Sequence, residues 1–177
     1  MRNHVILENI TEDMAGEILA IRHDAIHNGQ AKEFYDAETL DEWSPAPTPQ
    51  RALAWAQCWK ECGAVGVVAK NRHGHAIGYG ILNPSQSRIG AVYVRNASLD
   101  TGANDQIIKY LERLAMFRNI VSLSLDASLN DVNFYLRNWY MVIGVDFFTL
   151  PSGCKMPCAK MSKMINSYQR PPPSPFA

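Results

Sequence analysis

The residues of this chain that can do chemistry crowd into two stretches. The first runs from Val92 to Glu112 and reads as a strand, a polar loop holding one glycine at Gly102, and a helix from about Asn104. The leading amides of a helix have no partner within it and sit at the positive end of its dipole, so they favour a phosphate. Gly102 lets the backbone approach a ligand closely. The second stretch, Ser128 to Tyr140, gathers hydroxyl, amide and phenol groups at Ser128, Asn130 and Tyr135. His27 adds an imidazole, a group that changes charge near neutral pH. Four cysteines fall into two pairs, Cys58/Cys62 and Cys154/Cys158. Zinc-binding pairs sit on turn-built knuckles, whereas here one pair lies in a helical segment (Ala52 to Glu61) and the other brackets Lys155-Met156-Pro157. The expectation is four unpaired thiols, acting as small hydrophobes, and no metal.

The elements that must position these groups follow from periodicity and punctuation. His4 to Glu8 reads as a short strand. Thr11 is placed to cap a helix whose apolar stripe (Met14, Ile18, Ile21, Ile26) runs to His27 before Asn28-Gly29. Asp36 is placed to cap a short helix with Leu40 and Trp43, stopped by Ser44-Pro45. Thr48-Pro49 starts a third helix, with Ala52, Ala54, Trp55, Cys58 and Trp59 as its packed face and Gly63 as its end. Ala64–Lys70, Ala76–Leu82 and Ile89–Val94 are β-branched or apolar runs separated by turn residues, so they predict a meander of strands. A polar loop from Arg95 to Gly102 leads into a helix to Phe117, then a strand over Ile120–Leu125, a helix capped by Ser128 and running to Asn138, and a closing pair of strands over Met141–Leu150 and Met156–Met164. Antiparallel strands feeding a β-α-β unit predict an α/β mixed sheet with helices on both faces. One domain over 1–165 is expected, with a Pro-rich tail at 166–177 that cannot be helical.

The second stretch has the layout Ser128-x-Asn130-x-x-x-Phe134-Tyr135, and it follows a Tyr93-Val94 strand and a loop ending in Gly102. Together these resemble the coenzyme A-binding half of the GNAT (Gcn5-related N-acetyltransferase) superfamily. Ile21–Ile26, Tyr35…Trp43-Ser-Pro45 and Met161-Ser-Lys163 resemble a bacterial small-molecule-type subgroup, so the likeness spans nearly the whole chain. It implies a mostly antiparallel twisted sheet splayed at a cofactor cleft. It also implies that Val92, Tyr93 and Val94 pair through their backbone with the pantetheine arm, and that the amides of Gly102, Ala103, Asn104 and Asp105 hold the pyrophosphate. Asn130 would bond to the cofactor arm, and Tyr135 would return a proton to the leaving thiolate. The amide of Tyr93 would stabilise the oxygen of the reacting carbonyl. The implied activity is transfer of an acetyl or other acyl group from acetyl-coenzyme A to a primary amine, the alternative being a GNAT-fold module of little or no activity that binds a ligand or protein. Leu99, Asn104 and Trp139 stand where the family pattern has Arg or Gln, Gly or Ala, and Gly; Asp100 and Thr101 stand where glycine and a basic residue are common. Arg95 could supply replacement charge. His27, Tyr35 and Trp43 are candidates for the acceptor site, and Glu33, Asp36, Glu42 and His27 for a general base.

Composition narrows the partners. Lys plus Arg equals Asp plus Glu at 17 each, so no basic excess or acidic tail marks a nucleic-acid or polyanion partner. No apolar run reaches the ~20 residues needed to span a bilayer, and Glu8 interrupts the N-terminus too early for a secretory segment. A cytoplasmic protein acting on a small molecule is expected, with a homodimer, the commonest homo-oligomer, left open.

Overall fold

In a computed structural model, residues 4–165 are described; the Pro-rich segment read at 166–177 lies outside them. The chain runs β1 (Ile6–Asn9), α1 (Ala15–His27), α2 (Ala37–Trp43), α3 (Pro49–Glu61), β2 (Val65–Lys70), β3 (Ala76–Asn83), β4 (Arg88–Val94), α4 (Ala103–Phe117), β5 (Ser122–Ser128), α5 (Val132–Arg137), β6 (Met141–Thr149) and β7 (Lys155–Met164). The strands form one seven-stranded sheet in the order β1-β2-β3-β4-β5-β7-β6. Every neighbouring pair is antiparallel except β4 and β5, which are parallel and meet at a single position, Arg88 opposite Ser124.

Helices cover both faces, as the β-α-β order requires. On one, α4 lays Ile107, Ile108 and Leu111 onto Val67, Ala69 and Leu82 of the sheet. Each such side chain fully buried stabilises the fold by roughly 1.5–3 kcal/mol. The close fit depends on Gly80 of β3, where an added Cβ would overlap Ile107 and approach Leu111 Cδ1 to 2.9 Å. On the other face, Ile18 and Ile21 of α1 pack with Val68 and Tyr79, and α3 leans Trp55 and Trp59 against them. Those two rings stack at 5.2 Å. Ala54 and Cys58, read as part of that packed face, are exposed, because one helix turn of α3 meets the sheet only through its large rings.

Local differences from the sequence reading have identifiable causes. Asp36 and Thr48 do cap their helices, accepting from the amides of Thr39 and Arg51 at 2.8 and 3.2 Å. Thr11 makes no side-chain cap; a 3-10 turn over Glu12–Met14 intervenes before α1. Ser128 is the last residue of β5 rather than a helix cap, since its hydroxyl donates to Asp131 Oδ2 at 2.8 Å, and α5 starts at Val132. The polar loop before α4 is wound into a 3-10 turn over Asn96–Thr101.

Candidate active site

Between β4 and β5 the sheet opens. The pairing of β4 with β3 skips Gly90, since Ile81 lies opposite Ala91 and Leu82 opposite Ile89. Such a bulge bends its strand and ends regular pairing. Beyond Arg88 the β5-facing edge of β4 therefore has no strand partner, and the gap is a cleft with two adjoining cavities. The larger, about 480 Å³, is lined by Val92, Tyr93 and Val94 of β4, Asn104 of α4, Asn130, and Trp43. The smaller, about 50 Å³, is lined by Trp43, Tyr93, Asp126, Asp131, Tyr135 and Phe148 among others. Trp43, Val92, Tyr93 and Asp131 wall both, so the cavities meet at these residues.

Tyr135 comes from α5, 7% exposed, with its ring edge-on to Phe134 and Tyr140 at 5.0 and 5.6 Å. Burial first, then the neighbouring Asp131 and Tyr93, hold its phenol pKa well above the usual tyrosine value. Such a phenol keeps its proton at any working pH and can act only as an acid until a stronger base forms beside it. Beside it Asp131 accepts from Ser128 Oγ at 2.8 Å and from Asn130 Nδ2 at 3.0 Å. Its burial raises the carboxyl pKa, and those two hydrogen bonds partly offset the rise. With its amide nitrogen committed to Asp131, Asn130 keeps a buried carbonyl oxygen, Oδ1, with no partner among the described residues. A buried acceptor in that state is a place for a ligand N–H.

Trp43 is fixed in the wall from outside the cleft: Arg22 Nη2 donates to its carbonyl at 2.6 Å, and its ring lies 5.8 Å from Tyr35 and 6.5 Å from Tyr93. The structure does not bring Tyr35 and His27 to either cavity wall. The Tyr35 hydroxyl donates to Pro157 O and accepts from Leu129 N, both at 2.8 Å, which ties β7 to the loop carrying Asn130. The His27 and His23 rings lie 4.1 Å apart, tilted at 36°, and both bond the Ser44 carbonyl at 2.9 Å, joining α1 to the end of α2. Asp36 is occupied as the α2 cap, and Glu42 bonds Ser152. Glu33 is exposed.

The loop before α4 shows why its glycine is there. Gly102 has φ 71°, and an added Cβ would meet nothing within 4 Å, so backbone conformation rather than close approach demands glycine. Of Gly102, Ala103, Asn104 and Asp105, Asn104 lines the larger cavity. The Ala103 amide donates to Thr101 Oγ1 at 3.2 Å, and the Asp105 amide to Asn104 Oδ1 at 3.0 Å. These short-range bonds must give way before an anion can take the amides. Arg95 is not among the lining residues of that cavity, and its Nε donates to Ala76 O at 3.1 Å. Arg137, which the sequence reading passed over, brings a cation to the wall instead. Asp126 and Asp131 were also passed over, although Asp131 stands inside the Ser128–Tyr135 motif and its position there was the available signal. Among the described residues no group of three or more His, Cys, Asp or Glu side chains is placed to hold a metal ion, and no helix is long and apolar enough to cross a membrane.

No protein-family model matches the chain, and no curated protein matches it in sequence. Its fold is nevertheless shared with solved structures. A GCN5-related N-acetyltransferase from Rhodopseudomonas palustris superposes with a TM-score of 0.81 at 22% identity, covering 93% of this chain and 98% of that one. The PaiA N-acetyltransferase of Thermoplasma acidophilum, solved in complex with coenzyme A, gives 0.67 at 11% identity over 91% and 99% of the two chains. A Salmonella typhimurium protein, YncA, solved with its cofactor acetyl-CoA, gives 0.65 at 14% identity over 95% and 98%. At these identities the likeness establishes the fold: the chain has the GNAT fold.

Proposed function

We propose that this chain is an N-acyltransferase that moves an acetyl group, or another acyl group, from acetyl-coenzyme A to a primary amine. The observation that carries the reading is the opened edge of β4 beside the buried, unpartnered Asn130 Oδ1. Backbone groups of Val92, Tyr93 and Val94 can accept an amide-bearing arm there as an added strand, with Asn130 taking one of its N–H groups. That two proteins of this fold were solved with coenzyme A or acetyl-CoA supports a coenzyme A ligand. At the mouth of the larger cavity Asn104, the α4 amides and Arg137 would hold the pyrophosphate.

The thioester supplies an activated acyl carbon. Asp131, common to both cavities, takes a proton from the acceptor's ammonium, and the freed nitrogen lone pair bonds that carbon. The Tyr93 amide donates to the carbonyl oxygen as it gathers charge. As the carbon–sulfur bond breaks, Tyr135 gives its proton to the departing sulfur and recovers one from the new amide nitrogen. Asp131 then returns its proton to solvent, so the products are the amide, the free thiol and one proton.

A second reading, a ligand- or protein-binding module of little or no activity, is favoured by one feature. The Ala103 and Asp105 amides are already engaged by Thr101 and Asn104. The two readings part on release of free thiol from acetyl-coenzyme A when a primary amine is added. Amine-dependent release supports transfer, and its absence favours the binding module. We also infer that the protein works as a homodimer joined along β6, the last strand of the sheet, because that strand exposes Met141, Ile143, Val145 and Phe147.

A further inference from the structure

The smaller cavity has a chemical character of its own. Its walls include the rings of Trp43, Tyr93, Tyr135 and Phe148, and its charged lining residues are both carboxylates, Asp126 and Asp131. Asp126 comes from β5, its side chain 15% exposed and its Oδ2 paired with Arg88 of β4. Its other oxygen, Oδ1, is buried and has no hydrogen-bond partner among the described residues. Arg88 is thus spent on one carboxylate oxygen, and Lys160, the other nearby cation, is paired with Asp146 at 2.6 Å. The Asp131 carboxylate in turn has hydrogen bonds from Ser128 and Asn130 but no cationic partner among the described residues. The space left between rings and carboxylates is about 50 Å³, the share of roughly one or two waters.

We propose that this cavity is a subsite selecting the head of the acceptor: a compact alkylammonium with no carboxylate on the same carbon, with Asp126 as the specificity-determining residue. The inference rests on the acyl-transfer reading for its biological use, though not for its chemistry. An ammonium offers three N–H donors, one for the open Oδ1 of Asp126 and one for Asp131, while aromatic faces attract the cation. An α-amino acid brings a carboxylate to the same place. There it meets two like charges in a cavity with no Lys or Arg among its lining residues to offset them. The acceptor class is therefore a monoamine, or one end of a polyamine, rather than an amino acid.

The matched probes are n-butylamine and norvaline, which share a carbon chain and differ by the α-carboxylate. Binding of each is followed by saturation-transfer NMR, with and without coenzyme A. Three proteins are compared: the unaltered one, Asp126→Asn, and the double variant Arg88→Gln/Asp126→Asn, which replaces the ion pair by neutral groups and leaves no lone buried charge. Butylammonium should bind the unaltered protein at least ten-fold more tightly than norvaline and lose at least ten-fold in either variant. Equal binding of the two probes, or butylammonium binding that survives neutral residue 126 in a folded variant, overturns the proposal. Should neither variant fold, the comparison of the two probes on the unaltered protein still decides it. The acyl-transfer reading fails differently. A protein that binds butylammonium but is not stabilised by coenzyme A keeps the ammonium site and loses the transferase; one stabilised by coenzyme A that ignores butylammonium does the reverse.

Discussion

Asp131 and Tyr135 have the same physical cause behind opposite duties: burial disfavours the charged form of each. For Tyr135 that keeps the acid loaded; for Asp131 it makes the carboxylate a better base. Asp131 also leaves a mark on stability. Its folded pKa is raised, whereas in the unfolded chain it is that of an ordinary carboxyl, about 3.9. In the window between the two values the folded state binds more protons, so this residue's contribution to stability falls as pH rises through the window. Asp131→Asn should remove that slope, measured as urea midpoints against pH from about 3.5 upward; an unchanged slope would show that Asp131 titrates as an exposed group. At this scale the sequence was partly legible. Tyr135, Asn130, Trp43 and Val92–Val94, singled out mainly through the family resemblance, lie on the cleft walls. His27 and Tyr35 do not, because a histidine or tyrosine near a site by sequence is just as well used to bond a carbonyl at a helix end or a strand, as both are here. Asp126 was invisible because its significance depends on β4 and β5 parting beside it.

Elements were more legible than residues, since caps and glycines announce them. Beside the unmade caps at Thr11 and Ser128, Trp139 departs from that pattern: a left-handed residue is needed to end α5 and tryptophan takes it, at φ 67°. The Tyr140 amide returns to Tyr135 O at 3.0 Å and the Trp139 amide to Leu136 O at 3.1 Å, the double closure that ends many helices. Conformational cost at that one residue, roughly 1–2 kcal/mol, is tolerated because the turn seats Tyr135 and buries Tyr140. Conversely, Gly80 looked like an ordinary strand glycine, and its reason lies in α4, a partner distant in sequence. Gly80→Ala forces Ile107 and Leu111 aside and should destabilise by roughly 1–3 kcal/mol, read as a lower urea midpoint with an unchanged slope. A neutral result would mean that α4 does not need its close seat on β3.

For the whole molecule, the order of strands and helices predicted the mixed sheet and its two covered faces, while the interruption between β4 and β5 required a bulge that no residue pattern signals apart from Gly90. Formal neutrality, with 17 charges of each sign, gives no net charge to draw in a charged acceptor, which puts weight on the local lining of the cleft. The outer edge carries exposed apolar side chains, Val145 at 84% and Trp139 at 81%. Apolar side chains on a free strand edge invite pairing with another strand, and two copies of β6 can pair antiparallel about a two-fold axis. Sedimentation equilibrium should give a dimer that Val145→Lys converts to monomer; a monomeric unaltered protein at tens of micromolar would contradict the interface.

We propose that the cleft between β4 and β5 holds acetyl-coenzyme A with Tyr135 as its acid. The most direct test is free-thiol release from acetyl-coenzyme A with n-butylamine as acceptor, comparing the unaltered protein with Tyr135→Phe. Amine-dependent release should fall about 10²-fold or more in the variant, while stabilisation by coenzyme A in thermal melts stays the same in both. Release that is equally fast without the phenol, or a protein that coenzyme A does not stabilise, would contradict it.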